Sequence, residues 1–347
     1  MGFTLRFIKN IMSDKHTIKV LPNNEEESYV SNKPKVLLVG IYAPTFRPDG
    51  QIKGWEDLGY DVVSFDWQRV RFDVGVDGMR DRLLMKARTE EPDLIFMQIQ
   101  NPDAIDADTA KQLQDIAFTI NFTEDVREDI TFYEEVGKEI GITIFTNRTD
   151  VETLKSKGIK SEYLPTSYND VWYKPQPNTG NYYGDIVFLG GNYMDTNLKF
   201  PKAEERYEMV KFLQKEYKDR FYVGGMGWGD YTKFVHPQEA IQIYNNAKII
   251  VTHSNFNRPG YFSDRNLNAI GCNKLVIQQF YQGIQYDFHA SAPYWETLEE
   301  LKSQIDYYLS NPAQSIHTSN TLYHIIQTEH LWKHRFIQLL KFVDDIK

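Results

Sequence analysis

Cysteine is almost absent from this chain of 347 residues: Cys272 is the only one. A disulfide framework and a cysteine-built zinc site are therefore excluded, and a reducing, cytoplasmic setting is expected. Long apolar runs are missing too. Nothing approaches the roughly 20 residues that span a bilayer, so no integral membrane contact is expected. Positive charge is in deficit, with 39 Lys and Arg against 48 Asp and Glu. The net charge of -9 works against binding nucleic acid mainly by phosphate neutralisation, although a local basic groove would be hidden by that average. Histidine is missing from one stretch: none of the eight stands between Leu37 and Val235. A general base from the first half must then be a carboxylate, tyrosine or lysine, unless the segment carrying His16 folds inward.

What remains is globular. The hydrophobic share is 41% and the charged share 25%, and the length suits two domains of roughly 150 residues each. Residues 1–33, opening MGFTLRFIKNIM, lack a cleavage-like run of small residues, and Arg6 stands where a myristoylation signal wants Ser or Thr. They are expected to form a tail or first helix. From Lys35 on, short apolar runs of strand length alternate with segments of helical spacing. The runs are 36–39, 61–65, 94–99, 118–122 and 142–145, and their continuous apolarity suits a parallel sheet buried on both faces. The texture breaks over 164–183, which holds three prolines and a glycine, and a linker is set at 171–183. Strands resume at 186–189, 221–223, 249–252 and 275–278. Helices are predicted at 79–89, 202–217, 237–246 and 298–309, with one long helix over 321–343.

The reading is α/β: two Rossmann-like, doubly wound domains over 34–170 and 184–320, facing each other across a cleft. Residues 321–347 form a final helix that caps the second domain or crosses back to the first. Ligands in such sheets sit at the carboxyl ends of the strands.

Several local patterns could carry chemistry. A strand runs straight into Gly190 and Gly191, which suits either a loop whose amides approach a phosphate or a plain tight turn. It is neither a dinucleotide fingerprint nor a Walker loop, because the further Gly or Gly-Lys-Ser/Thr is lacking. Four glycines surround Met226 and Trp228, so Trp228 either offers a face for a flat ring or tucks into the core. After the strand at 249–252 come His253, Ser254 and Asn255, then a loop, then Ser263 or Asp264 as the cap of a helix carrying Arg265 in its first turn. A helix N-terminus beside a guanidinium suits a diphosphate; the alternative is that Arg265 pairs with Asp264 or a neighbouring loop. Glu124 and Asp125 follow a strand directly and are the candidate bases of the first half. Asp106 and Asp108 match a metal-holding Asp-Xaa-Asp pattern but are read as helix caps. His330 and His334 lack the glutamate of a zinc helix and are read as packing or surface residues, so no metal ligand is assigned.

Six stretches in order carry a resemblance: GDIVFLGG at 184–191 with Arg206 beyond it, YVGGMGWG at 222–229, IYNNAKIIVTHSN at 243–255, DRNLNAIGC at 264–272, EELKSQIDYYLSNP at 299–312 and EHLWKHRFIQLL at 329–340. Together they resemble the CgeB-like, or spore-maturation-like, branch of GT-B glycosyltransferases. The resemblance implies a metal-independent GT-B transferase with no obligatory cofactor. It would use a nucleotide-sugar donor as co-substrate, UDP-linked in the first instance, held mainly by the second domain, while a glycan, protein or modified-DNA acceptor is held mainly by the first. On that resemblance Gly190, Gly191, Arg206, Trp228, Tyr244, Asn255, Arg265 and Asn268 are donor-side residues. Asn268 stands where relatives place a glutamate, and an amide still bonds a hydroxyl but supplies no charge. Two other readings are a transferase acting on a hydroxylated base in phage DNA, favoured by a basic groove including Arg47, Lys53, Arg69 and Arg71, and a non-catalytic nucleotide-sugar or glycan binder.

Overall fold

A computed structural model describes residues 33–44, 47–194, 196, 200–229 and 234–346. The tail or first helix expected before Lys33, and His16 with it, lies outside the described residues. Two parallel sheets form. The first holds β1 (Lys35–Gly40), β2 (Asp61–Asp66), β3 (Leu94–Met97), β4 (Phe118–Thr123), β5 (Ile142–Phe145) and β6 (Ser161–Tyr163), in the order β2-β1-β3-β4-β5-β6. The second holds β7 (Ile186–Leu189), β8 (Phe221–Gly224), β9 (Ile249–Thr252), β10 (Leu275–Gln279) and β11 (Tyr294–Trp295), in the order β11-β10-β9-β7-β8. The two-residue β11 and the three-residue β6 are edge strands too short to show a sequence pattern. β2, also an edge, is only half-buried, unlike the fully apolar interior strands.

In chain order the helices are α1 (Asp49–Asp57), α2 (Trp67–Glu90), α3 (Ala107–Ile116), α4 (Thr131–Gly137), α5 (Arg148–Ser156), α6 (Ala203–Tyr217), α7 (Pro237–Asn246), α8 (Asp264–Gly271), α9 (Ile284–Asp287), α10 (Leu298–Ser310), α11 (Pro312–Glu329) and α12 (Trp332–Ile346). They cover both faces of each sheet, giving an apolar layer on either side. Val36, Leu38 and Phe96 point to one face of the first sheet; Leu37, Val39 and Ile95 point to the other.

The single helix expected over 321–343 is two helices. α11 stops at Glu329, and the break lets α12 leave the second sheet and lie on the first, where Trp332, Phe336, Leu339 and Val343 join the core around Trp55. Phe336 stacks on Trp55 with ring centroids 4.0 Å apart. Leu331 donates its N–H to His334 Nδ1 at 3.2 Å, a side-chain cap that starts α12. The break left no mark in the sequence because neither proline nor glycine stands there and apolar residues continue on both sides, Ile326 and Leu331 packing into one layer and Leu339 into another.

Candidate functional site

Each chain half starts in the middle of its sheet and winds both ways, which leaves a crevice beyond the carboxyl ends of the strands where the order reverses. In the second sheet this crevice lies between β7 and β9 and is edged by residues 190–191 and 253–255. In the first it lies between β1 and β3, next to β4, whose end carries Glu124 and Asp125.

Gly190 donates to the Gly224 carbonyl at 2.8 Å and Asn192 to that of Met226 at 2.8 Å, so the two glycine loops lie against each other. A Cβ on Gly225, at φ +131°, would stand 2.4 Å from the Gly190 carbonyl oxygen; only glycine permits that approach. The buried Gly190 amide is thus spent on the loop, and of the pair only Gly191 keeps partial exposure. Trp228 donates its indole N–H to the Gly190 carbonyl at 2.7 Å, meets Phe188 edge-on and lies parallel to Tyr207. These contacts leave it half-buried.

Arg206, 3% exposed in the first turn of α6, donates to the Gly191 carbonyl at 3.1 Å and to the His253 carbonyl at 2.8 Å. Among the described residues no carboxylate stands within 4 Å of it. Burial, and then the nearby charge of Arg265, pull its guanidinium down to about 9. Arg265 opens α8, whose cap is Ser263: the Ser263 hydroxyl accepts from the Arg265 N–H at 3.3 Å and from its guanidinium at 3.2 Å. The residue is exposed, yet desolvation by the surrounding protein is the largest influence on its charge, as befits a cleft wall. Asp264, Tyr244, Tyr193 and Tyr261 more than offset that desolvation and hold it above the usual range. It too has no ion pair within 4 Å among the described residues, so the expected alternative of an Asp264 pair is not what forms.

The carboxylates of the first half face this group. Glu124 is pushed up to about 8 by desolvation, then by Asp264 and Asp125, against hydrogen bonds from Thr166 and Gln98. Asp125 is raised by desolvation, lowered by Arg127, raised again by Asp264 and lowered by Arg265. Residues of both halves therefore feel one another across a single cleft. Tyr244 is buried beside the same group, its hydroxyl held well above its usual range by desolvation. Asn268 Nδ2 donates to Asp264 Oδ2 at 3.0 Å, while Asn268 Oδ1 and Asn255 Oδ1 are buried without hydrogen-bond partners among the described residues. The Asn255 carbonyl accepts from Lys202 just ahead of α6.

The structure thus gathers Arg206, Tyr244, Arg265 and Asn268 around the start of α8, with Glu124 and Asp125 opposite. Gly190, Gly191 and Trp228 form a rim joined to them through Arg206. Asp264 and Tyr261 also face the cleft; the sequence offered Asp264 only as a cap and gave no signal for Tyr261. Thr166, in a stretch without regular structure, was equally unmarked. His253 lies beneath the crevice, driven down to about 4 by burial.

Other expectations resolve locally. Asp106 caps α3, accepting from the Thr109 N–H at 2.8 Å, and pairs with Arg80. No group of three or more His, Cys, Asp or Glu among the described residues is arranged to hold a metal ion. The basic groove does not form as a free cationic surface: Arg47 pairs with Asp49, Lys53 with Asp57 and Asp170, Arg69 with Asp73, and Arg71 lies 3.9 Å from Asp103. No helix of the described residues is long and apolar enough to cross a membrane.

Solved structures of the same architecture cover nearly the whole chain. A sucrose-phosphate synthase from Thermosynechococcus elongatus aligns over 90% of this chain and 99% of its own, with 12% identity and a TM-score of 0.58. The N-terminal domain of a trehalose-6-phosphate phosphatase from Candida albicans aligns over 89% and 99%, with 11% identity and a TM-score of 0.59. Alr3699/HepE from Anabaena, in complex with UDP, aligns over 88% and 99%, with 10% identity and a TM-score of 0.54. The fold is GT-B. Within it, a family model described as glycosyl transferase-like matches residues 206–341, the span from Arg206 to α12. No curated protein sequence matches the chain. On this GT-B frame the crevice of the second sheet and the carboxylates of the first face the same interdomain space.

Proposed function

We propose that this protein is a glycosyltransferase of CgeB-like type that moves a hexosyl or pentosyl unit from a nucleoside-diphosphate sugar, UDP-linked, to a hydroxyl acceptor. The observation that carries the reading is the placement of two guanidinium groups at this crevice: Arg206, whose pKa burial and then the nearby charge of Arg265 lower, and Arg265 itself, neither with a carboxylate within 4 Å among the described residues. Two neighbouring guanidinium groups beside a helix N-terminus suit the two charges of a pyrophosphate. The family match beginning at Arg206 and the UDP held by Alr3699/HepE support the same donor class.

In the proposed step the acceptor oxygen forms a bond to the anomeric carbon as that carbon's bond to the diphosphate oxygen breaks. The acceptor proton passes to the Glu124 carboxylate, with Asp125 as the second candidate, and the configuration inverts. Arg265, Arg206 and the α8 N-terminus take up the charge on the departing diphosphate without an obligatory metal. Tyr244, Asn255 and Asn268, with Gly191, border the donor.

A glycan or protein acceptor is favoured over modified-base DNA, since the four cations needed for a DNA groove are each beside a carboxylate. The test is transfer of radiolabelled sugar from a panel of UDP- and GDP-sugars, with and without chelator. Nucleoside diphosphate released at rates above buffer supports the enzyme. Saturable donor binding without any turnover would make the protein a non-catalytic binder.

A further inference from the structure

Three consecutive residues of the stretch between the two sheets are stitched to the turn between α11 and α12. The Thr166 carbonyl accepts from Arg335 twice, from Nε at 3.2 Å and from Nη2 at 3.1 Å. The Ser167 hydroxyl donates to the His330 carbonyl, and Gln327 donates to the Tyr168 hydroxyl. Arg335 is 3% exposed and has no carboxylate within 4 Å among the described residues. Its other partners are the Glu329 carbonyl at 3.0 Å and His330 Nδ1 at 2.6 Å. Because that nitrogen faces a guanidinium donor it must be the unprotonated one, so Nε2 carries the hydrogen and donates to the Asp287 carbonyl at 2.8 Å. The ring lies flat on Phe288 and cannot turn without losing that stack. The buried Arg335 cation thereby ties together the Thr166 carbonyl, the Glu329 carbonyl and the His330 ring. A buried guanidinium is a costly way to fasten a loop unless the loop's position matters.

What the fastened residue does next supplies the reason. The Thr166 hydroxyl stands 3.1 Å from Glu124 Oε1 and 3.2 Å from the Ser167 carbonyl, and its one proton serves whichever acceptor is stronger, which for ionised Glu124 is the carboxylate. We infer that Thr166, anchored by Arg335 of the C-terminal helix, is a positioning residue that aims the Glu124 carboxylate into the cleft. The inference rests on the proposed role of Glu124 as base. It also gives the crossing of α12 onto the first sheet a function, since an element that follows the second sheet then sets the geometry of the first sheet's acid.

The groups that set Glu124's charge are Asp125 on its own loop, Asp264 at the start of α8, and the hydrogen-bond donors Thr166 and Gln98; Tyr261 faces it as well. Thr166 is the donor that the crossing helix controls. It favours the ionised form, so its removal raises the pH at which Glu124 becomes a base.

The test compares kcat/KM against pH for the full chain and for Glu124→Gln, Thr166→Val, Thr166→Ser and Arg335→Lys, with donor affinity measured alongside. Thr166→Val is expected to move the acid limb up by roughly one pH unit, a loss of about tenfold below the limb, at unchanged donor affinity. Thr166→Ser restores the wild-type limb, and Arg335→Lys, which keeps the charge but not the paired donors, moves it in the same direction as Thr166→Val. A limb that stays in place for Thr166→Val while Glu124→Gln is inactive overturns the positioning role alone. Full activity of Glu124→Gln overturns the reading of Glu124 as base, and a limb that moves only for Thr166→Val removes Arg335 from the chain.

Discussion

Replacing Arg265 by alanine separates donor binding from folding. The side chain is exposed, has no ion pair among the described residues, and is bonded only to Ser263 on its own helix turn. Its loss should cost the fold little, within the roughly 0.5 kcal/mol usual for surface changes. For a bound diphosphate the outcome differs. A charge-assisted hydrogen bond from a guanidinium is worth about 1.5–3 kcal/mol, which corresponds to about 10- to 150-fold in Kd. Arg206 and the start of α8 remain, the latter worth about 0.3–1 kcal/mol, so binding should weaken and not vanish. Titration calorimetry with UDP and UDP-glucose, paired with a thermal melt, measures both effects. Arg265→Lys should recover part of the loss, because it restores the charge without the planar fork. An unchanged Kd for Arg265→Ala, with an unchanged melt, would remove this guanidinium from the donor site.

Three further outcomes are expected. Glu124→Gln should lower transfer by about 10²-fold or more. It should also raise the thermal midpoint at pH 9 and not at pH 5: with its folded pKa pushed up to about 8, above the ordinary 4.5, Glu124 is a buried cost once ionised, so wild-type stability falls as pH rises through that interval. A variant that melts like wild type at both pH values would contradict the raised acidity. His330 and His253 are held neutral, at about 3 and about 4, below the ordinary 6.5. The unfolded chain binds the extra protons, so stability should drop as pH falls below about 6.5, and melts from pH 7 to 4 that show no such slope would refute the burial argument. Phe336→Ala should cost about 3–5 kcal/mol by emptying the stack on Trp55, read as a lower urea midpoint, and a loss under about 1 kcal/mol would mean that α12 is not docked there.

Much of the frame was legible in the residues because buried parallel strands write an unbroken apolar run. Residues 142–145, 186–189 and 249–252 coincide with β5, β7 and β9 for that reason. Two edges were not legible, since β6 and β11 have too few residues to make a pattern, whereas the edge strands β2 and β8 overlap the runs at 61–65 and 221–223. The break at His330 was not visible either, since neither proline nor glycine marks it and apolar residues continue on both sides while the layer they pack against changes. The candidates Glu124, Asp125 and Arg265 were picked out by their position after a strand or at a helix start, a local signal. Thr166 and Arg335 act through contacts across 169 positions of chain. Such partners follow from tertiary packing and leave no mark in a local pattern. The glycine loops had two readings from spacing alone, a phosphate contact or a tight turn, and the contacts the fold shows are internal ones, the Gly190 amide and the Trp228 indole holding the two loops together.

The most direct test of the donor site is a crystal of this protein soaked with UDP-glucose. Density for a diphosphate within hydrogen-bond distance of the Arg265 guanidinium and the first N–H groups of α8, with the sugar turned toward Glu124, is the expected result. Nucleotide bound elsewhere on the molecule, or no nucleotide density at concentrations that saturate other donor sites, would contradict it.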